Sequence, residues 1–169
     1  PGIVRGMLSI LRAGGWNRCI VETVGAGQGE IRISAVAELI VLLEAPGRGD
    51  GVQAEKAGLI ELADLIVVNK SDLDGAEKTA NEIRQAFEVA TIPTPPIILT
   101  SATTRDGVLE MLSSIESLEF NPHTTRARAR EGLRAMWEQK LLDHEDFETL
   151  LDEVVAGNIS LEAAIVKIR

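Results

Sequence analysis

Asn69-Lys70-Ser71-Asp72 places an amide, a cation and a carboxylate directly after an apolar, β-branched run at residues 65–68. Such a run predicts a buried strand of a parallel sheet. The carboxylate of Asp72 can accept from two adjacent N–H donors, the ring N–H and the exocyclic amine of guanine, a pair that adenine does not offer. We therefore expect Asp72 to select guanine, with the Lys70 stem over the base and Asn69 bracing neighbouring loops. The alternative is an ordinary turn after a strand.

Two further segments follow predicted strands and extend the candidate site. Thr100-Ser101-Ala102 comes one helix and one strand later, and we expect the backbone N–H groups of Ser101 and Ala102 to contact the guanine carbonyl oxygen. Glu22-Thr23-Val24-Gly25 ends an earlier apolar run. An acid there can hold Mg²⁺ through a water, and a glycine three residues later lets its N–H approach the γ-phosphate. Glu22 and Gly25 are thus candidate catalytic positions on the Mg²⁺ side, with a strand-end turn as the alternative.

Other chemistries find less support in the sequence. The chain has no G-x-x-x-x-G-K-[ST] to cradle phosphates, and His123 and His144 are too isolated to form a metal-ligand set. A net charge of −9 and a pI of about 4.8 argue against a nucleic-acid partner. No apolar stretch reaches transmembrane length, so we expect no membrane partner. Cys19 is the only cysteine, which favours a reducing, cytoplasmic location, and we expect its thiol to be buried.

Apolar runs separated by helical patterns predict the elements that position these residues. We expect four strands, near residues 18–22, 37–43, 64–68 and 97–100. Their alternation with helices predicts an α/β fold, a mostly parallel sheet covered by helices, with ligands beyond the carboxyl ends of the strands. From residue 121 the pattern is helical throughout and rich in arginine, which we expect to form intrachain salt bridges. Residues 1–120 are thus predicted to form the sheet domain and 121–169 a helical extension.

Together these segments resemble the MeaB/ArgK family of P-loop GTPases. Residues 20–28 read Ile-Val-Glu-Thr-Val-Gly-Ala-Gly-Gln and are similar to the family signature E-T-V-G-V-G-Q-S-E. Pro-Gly-Arg-Gly-Asp at residues 46–50 and Val67–Lys70 follow the family pattern in the same register. Met136-Trp137 and the arginine-rich stretch resemble its C-terminal extension.

The resemblance implies a GTP-binding and GTP-hydrolysing chaperone of an adenosylcobalamin-dependent acyl-CoA mutase, of the methylmalonyl-CoA mutase type. It also implies GTP/GDP and Mg²⁺ as ligands, and a homodimer formed partly through the C-terminal helices. The family's helical N-terminal region and its phosphate loop, with its lysine and Ser/Thr, have no counterpart in this sequence. Because charge neutralisation at the phosphates supplies most of the catalysis, we expect the chain alone not to hydrolyse GTP.

The absent phosphate loop leaves two questions open. In P-loop GTPases the strand before that loop is central and lies next to the strand that ends at the equivalent of Glu22, so its loss opens a gap in the sheet. Another chain fills the gap, the remaining strands close up, or the sequence is a fragment. For function, one rival is a non-catalytic interaction or dimerisation module that has lost nucleotide binding. A second rival, a nickel-handling metallochaperone GTPase, is disfavoured by the lack of a His or Cys cluster.

Overall fold

The structure, a computed structural model, describes residues 2–23, 36–47, 60–118 and 121–168. The described residues contain one parallel sheet of three strands in the order β1-β2-β3. The strands are β1 (Val41–Glu44), β2 (Leu65–Val68) and β3 (Ile97–Leu99). Val41 lies opposite Leu65 across the first pair, and Ile66 opposite Ile97 across the second. The predicted α/β fold with a parallel sheet is confirmed.

The central strand β2 lies inside the core because a helix covers each face of the sheet. All four of its residues are at most 1% exposed, as the continuous apolar run predicts. Helix α2 (Ala76–Ala90) covers one face, where Ile83 and Phe87 belong to the same core cluster as Ile66 and Val68. Helix α3 (Val108–Ser117) covers the other face. There Met111 and Ile115 pack against the cluster that contains Leu65, Val67 and Ile98.

The N-terminal segment, residues 2–23, differs from its prediction. Helix α1 (Gly2–Ala13) buries no residue, although Ile3, Met7 and Ile10 repeat at helical spacing. The strand predicted over residues 18–22 is wrong for this structure, since no described strand pairs with this segment and Ile20 is 97% exposed. The prediction that the Cys19 thiol is buried is wrong for the same reason, because Cys19 is exposed. An apolar run becomes a buried strand only where a neighbouring strand supplies the hydrogen bonds.

A buried ion pair at the start of β2 joins the sheet to helix α4 (Pro122–Leu142). Asp64 and Arg128 form the pair, and each side chain is only 11% exposed. Oδ2 of Asp64 also accepts from the N–H of Ile40 at 2.8 Å, and Oδ1 accepts from Oγ1 of Thr124 at 2.9 Å. Arg128 donates further to the carbonyl oxygen of Leu62 at 3.1 Å. The expectation that the C-terminal arginines form intrachain salt bridges is confirmed at this residue.

The chain divides into two compact units, Pro1–Ala129 and Arg130–Arg169. The second unit holds the end of α4 together with α5 (Phe147–Val155) and α6 (Leu161–Lys167). Its core contains Leu150, Ala164 and Ile168. The role of the C-terminal helices in dimerisation stays a prediction. No helix in the described ranges is long and apolar enough to cross a membrane.

Caps define the ends of α5 and α6. Gly157 follows α5 with φ +75°, and its N–H donates to the carbonyl oxygen of Val154 at 3.0 Å. Ser160 caps α6, since its Oγ accepts from the N–H of Ala163 at 3.2 Å. Hydrogen bonds from the backbone N–H of Glu162 and from Ser160 lower the pKa of the Glu162 carboxyl. These local signals are readable from sequence because each involves residues a few positions apart.

Candidate functional site

The loops that follow β2 and β3 are joined to each other by hydrogen bonds at the carboxyl edge of the sheet. The N–H of Ser71 donates to the carbonyl oxygen of Thr100 at 2.9 Å. The side-chain Oδ1 of Asn69 accepts from the N–H of Ala102 at 3.1 Å and from Oγ1 of Thr100 at 3.4 Å. The structure therefore brings the predicted residues 69–72 and 100–102 together in adjacent loops, with Asn69 as the link between them.

Lys70 and Asp72 carry the charges of this site, and both are exposed. Lys70 has φ +62°, a left-handed conformation that costs a non-glycine residue about 1–3 kcal/mol. A turn holds it there, since its carbonyl oxygen accepts from the N–H of Leu73 at 3.0 Å. Neither charged side chain pairs with another described residue. Both are therefore available to a ligand.

The two backbone amides expected to contact guanine differ in their surroundings. Ser101 is 0% exposed, and its N–H donates to the carbonyl oxygen of Asp106 at 3.0 Å. Its Oγ accepts from the N–H of Thr104 at 3.2 Å, so both groups serve to close the loop. Ala102 is exposed, and its N–H donates to Asn69. Of the two amides, only that of Ala102 lies where a ligand oxygen can compete for it.

Gly107 closes this loop against the strand and was not singled out from the sequence. It has φ +69°, and a Cβ at this position would lie 2.0 Å from the carbonyl oxygen of Leu99. Only glycine tolerates both the left-handed backbone and the close approach. The Asp106-Gly107 dipeptide ahead of a helix was the available signal, because such dipeptides mark tight turns.

A cleft of about 260 Å³ lies beside the site, between the ends of β1 and β2. Its walls come from residues 43–47 together with Asn69 and Lys70. Glu44 ends β1 and is only 3% exposed, and its carbonyl oxygen accepts from the N–H of Asn69 at 2.8 Å. Sequence reasoning did not select Glu44. The signal was an acid that directly ends an apolar run, the same signal that drew attention to Glu22.

The predicted Mg²⁺ side is less well formed than the base side. Glu22 is exposed in the segment that forms no strand, and it has no hydrogen bond or ion pair with another described residue. Gly25 falls within residues 24–35, outside the described residues. In the described ranges no group of three His, Cys, Asp or Glu side chains is placed to hold a metal ion. No hydrogen bond or ion pair joins Glu22 to residues 69–72 or 100–102.

Comparison with known proteins gives a consistent set of relatives. The sequence pattern of the family described as methylmalonyl-CoA mutase-associated GTPase MeaB matches residues 3–158. The chain is 44% identical over 159 residues to a putative GTPase of Pyrococcus horikoshii, covering 90% of this chain and 48% of that protein. It is 31% identical to GTPase ArgK of Escherichia coli, covering 85% of this chain and 49% of that protein. It is 32% identical to the mouse protein named methylmalonic aciduria type A homolog, mitochondrial, covering 82% of this chain and 36% of that protein. The chain spans about half the length, or less, of these relatives.

Proposed function

Since this chain belongs to the MeaB family of methylmalonyl-CoA mutase-associated GTPases, we propose that it supplies the guanine-recognising, C-terminal part of such a GTPase. The observation that carries the proposal is the pair of joined loops at the carboxyl edge of the sheet. Asn69 holds them together through Ala102 and Thr100, while Lys70 and Asp72 remain exposed. A carboxylate and an aliphatic stem presented from a braced loop are what guanine recognition requires.

The family as a whole binds GTP and GDP with Mg²⁺, but this chain offers an incomplete site for the phosphates and the metal. Glu22, the candidate Mg²⁺-side acid, is exposed and isolated from the other described residues. The sequence has no phosphate loop, and the chain spans 48% of the Pyrococcus horikoshii relative. We therefore propose that the chain alone recognises the base without hydrolysing GTP, and that residues equivalent to the unmatched half of the relatives supply the phosphate contacts. Steady phosphate release by the purified chain, lost in Asp72→Ala, would contradict this.

The proposed biological role is to act on an adenosylcobalamin-dependent acyl-CoA mutase as a chaperone that works as a homodimer. The family description, which names a mutase-associated GTPase, supports the mutase as the partner. The helical unit from Arg130 to Arg169 is the proposed dimerisation element, and its exposed apolar residues Leu133, Met136 and Trp137 support that assignment.

Calorimetry with GDP and ADP tests the base-recognition proposal on the chain itself. We expect weak, GDP-selective binding, because Asp72 pairs with donors that only guanine carries. Asp72→Ala should weaken GDP binding by about tenfold or more, since a hydrogen bond to a charged group contributes about 1.5–3 kcal/mol. Asp74→Ala is the matched control, an exposed acid two residues further along, and it should leave the affinity unchanged.

The rival function is a non-catalytic interaction module that has kept the fold and lost nucleotide binding. The exposed apolar side chains of α1 and of the C-terminal unit favour this alternative. Equal binding of GDP and ADP, or no binding of either nucleotide, would overturn the guanine proposal and support the module. Binding selective for GDP would remove the module as an explanation.

A further inference from the structure

We propose that two copies of the chain pair through unlike surfaces of the C-terminal unit, with α4 of each copy seated on the hairpin of α5 and α6 of the other. The inference rests on the proposed homodimer and deepens it, because it names the two surfaces that meet and the charges that select them. Both surfaces lie within residues 130–168, a stretch that the structure describes throughout.

The first surface is an exposed apolar face of the hairpin. On α5, Val155 directly follows Val154, which packs against the core of this unit. On α6, Ile165 directly follows the core residue Ala164. Each helix exposes one more apolar residue a turn earlier, Leu151 on α5 and Leu161 on α6. The exposed fractions of these four side chains lie between 45% and 80%, so a partner can reach them.

An ion pair shows that these four side chains share one side of the hairpin. Successive residues of a helix are about 100° apart, so the residues before and after a core residue lie on its two flanks. Glu153 and Lys167 each come directly before a residue of the core, and their side chains meet at 3.5 Å. Because these preceding residues share one flank of the hairpin, the exposed apolar residues share the other.

Carboxylates border this apolar face. Three of its apolar residues have an acid three positions earlier, which places the acid beside them on the helix surface. These acids are Glu148, Asp152 and Glu162. Glu148 and Asp152 form no ion pair with another described residue. The one cation within α5 and α6, Lys167, is paired on the opposite flank. The apolar face and its three acids are called the acidic surface below.

The second surface lies on α4 and carries the opposite charge. Three exposed apolar residues share one face of the helix by their spacing, Leu133, Met136 and Trp137. Lys140 continues this face, with its Nζ 5.4 Å from the centre of the Trp137 ring. Arg130 borders the other end, one turn before Leu133, and also pairs with Glu131. The same spacing places Glu131 and Glu138 on the opposite side of the helix. This face and its two cations are called the basic surface below.

Charge complementarity favours unlike over like pairing of these surfaces. Two acidic surfaces face to face would oppose their carboxylates, and two basic surfaces would oppose their cations, which disfavours association. A basic surface on an acidic surface sets Lys140 against carboxylates while the apolar side chains cover one another. Each copy carries both surfaces, so a two-fold dimer makes this contact twice. The chain therefore supplies its own complementary partner.

The salt dependence of the wild-type dimer gives the first test, by sedimentation equilibrium at about 0.05 M and about 0.5 M NaCl. We expect the dissociation constant of the dimer to rise by about threefold or more at the higher concentration, because salt screens attraction between unlike charges. A dimer that is equally stable or more stable in high salt would overturn the inference.

Charge reversal assigns the contact to the two surfaces. Glu148→Lys changes the acidic surface and Lys140→Glu changes the basic surface. Each variant alone should weaken the dimer by about tenfold or more, since both contacts then contain a like-charge pair. Glu110→Lys is the matched control, because Glu110 is an exposed acid in the first turn of α3, as Glu148 is in α5. It should leave the dissociation constant unchanged.

A mixture of Glu148→Lys and Lys140→Glu distinguishes unlike from like pairing. In the mixed dimer each contact again joins unlike charges at positions 140 and 148, so the dissociation constant should return to within about threefold of the wild-type value. Pairing between two basic surfaces would make Glu148→Lys silent, and pairing between two acidic surfaces would make Lys140→Glu silent. Either silent variant, or a mixture that does not recover, would overturn the inference. If a variant does not fold, the salt dependence of the wild type decides.

The failure of this inference can be told from the failure of the proposed homodimer. A wild-type chain that stays monomeric at every concentration overturns both. A wild-type dimer that neither charge reversal weakens overturns this inference alone.

Discussion

Asn69 and its two charged neighbours, Lys70 and Asp72, differ in their contacts at the candidate site. The Oδ1 of Asn69 accepts hydrogen bonds from the N–H of Ala102 and from Oγ1 of Thr100. Its backbone N–H donates to the carbonyl oxygen of Glu44. These bonds use the side-chain oxygen and the backbone N–H of Asn69 to position the loops. Lys70 and Asp72 are exposed and pair with no other described residue. In the proposed guanine site, recognition therefore depends on these two charged residues, and Asn69 is a positioning residue.

Gly107→Ala should destabilise the chain more than a comparable glycine substitution elsewhere. The added Cβ would lie 2.0 Å from the carbonyl oxygen of Leu99, so the loop after β3 must move. We expect a loss of about 3 kcal/mol or more, the left-handed backbone contributing about 1 kcal/mol and the clash the rest. Gly157→Ala is the control, because Gly157 has φ +75° and nothing within 4 Å of the added Cβ. Urea unfolding measures both, and equal losses would show that the close approach to Leu99 has no energetic role.

At the scale of elements, the sequence predicted most of what positions the site. The runs at residues 65–68 and 97–99 are strands in the structure, because their apolar, β-branched residues suit a sheet covered on both faces. The caps at Ser160 and Gly157 follow from local hydrogen bonds. The run at residues 18–22 also contains adjacent β-branched residues, Ile20 and Val21, but it forms no strand. Membership of a sheet depends on a partner strand, which lies outside any local window of sequence. The burial of Glu44 was missed because burial depends on the neighbouring strand as well.

Ile20→Ala should leave stability nearly unchanged, in contrast to the same substitution in β2. Ile20 is 97% exposed, so its truncation removes almost no buried surface and should cost within about 0.5 kcal/mol. Ile66 is 0% exposed, and Ile66→Ala should cost about 2–5 kcal/mol through lost burial and a cavity. Urea unfolding of the two variants makes the comparison. A loss above about 2 kcal/mol for Ile20→Ala would indicate that residues 18–22 are buried in solution.

Arg128→Met should destabilise the chain by about 3 kcal/mol, since removing one partner leaves a largely buried carboxylate at Asp64 without its counter-charge. Both side chains are 11% exposed, and Arg128 also donates to the carbonyl oxygen of Leu62. Arg18→Met is the matched control. Arg18 pairs with Glu116 at 3.2 Å, but the two side chains are 71% and 58% exposed, so its loss should cost about 0–1 kcal/mol. Equal destabilisation by the two substitutions would show that the link between α4 and β2 is not specific.

At the scale of the whole molecule, the chain corresponds to about half of the relatives that it matches. The match to the Pyrococcus horikoshii protein includes 90% of this chain but only 48% of that protein. Within the covered part, the loops after β2 and β3 are joined by hydrogen bonds, and Glu22 is exposed and has no hydrogen bond or ion pair with another described residue. Exposed apolar side chains at Trp16, Ile20 and Leu43 lie in the same unit.

The C-terminal unit should carry self-association of the chain. Leu133, Met136 and Trp137 are 70%, 62% and 53% exposed, and their spacing places them on one face of α4. Full burial of such side chains contributes about 1.5–3 kcal/mol each, which favours a paired surface over a solvated one. We expect sedimentation equilibrium to give a dimer and Leu133→Glu to give a monomer, because a glutamate in an apolar contact loses its hydration. Ile20→Glu is the control, since it adds the same charge at an exposed apolar residue of the other unit. A dimer that survives Leu133→Glu but not Ile20→Glu would move the interface to residues 2–23.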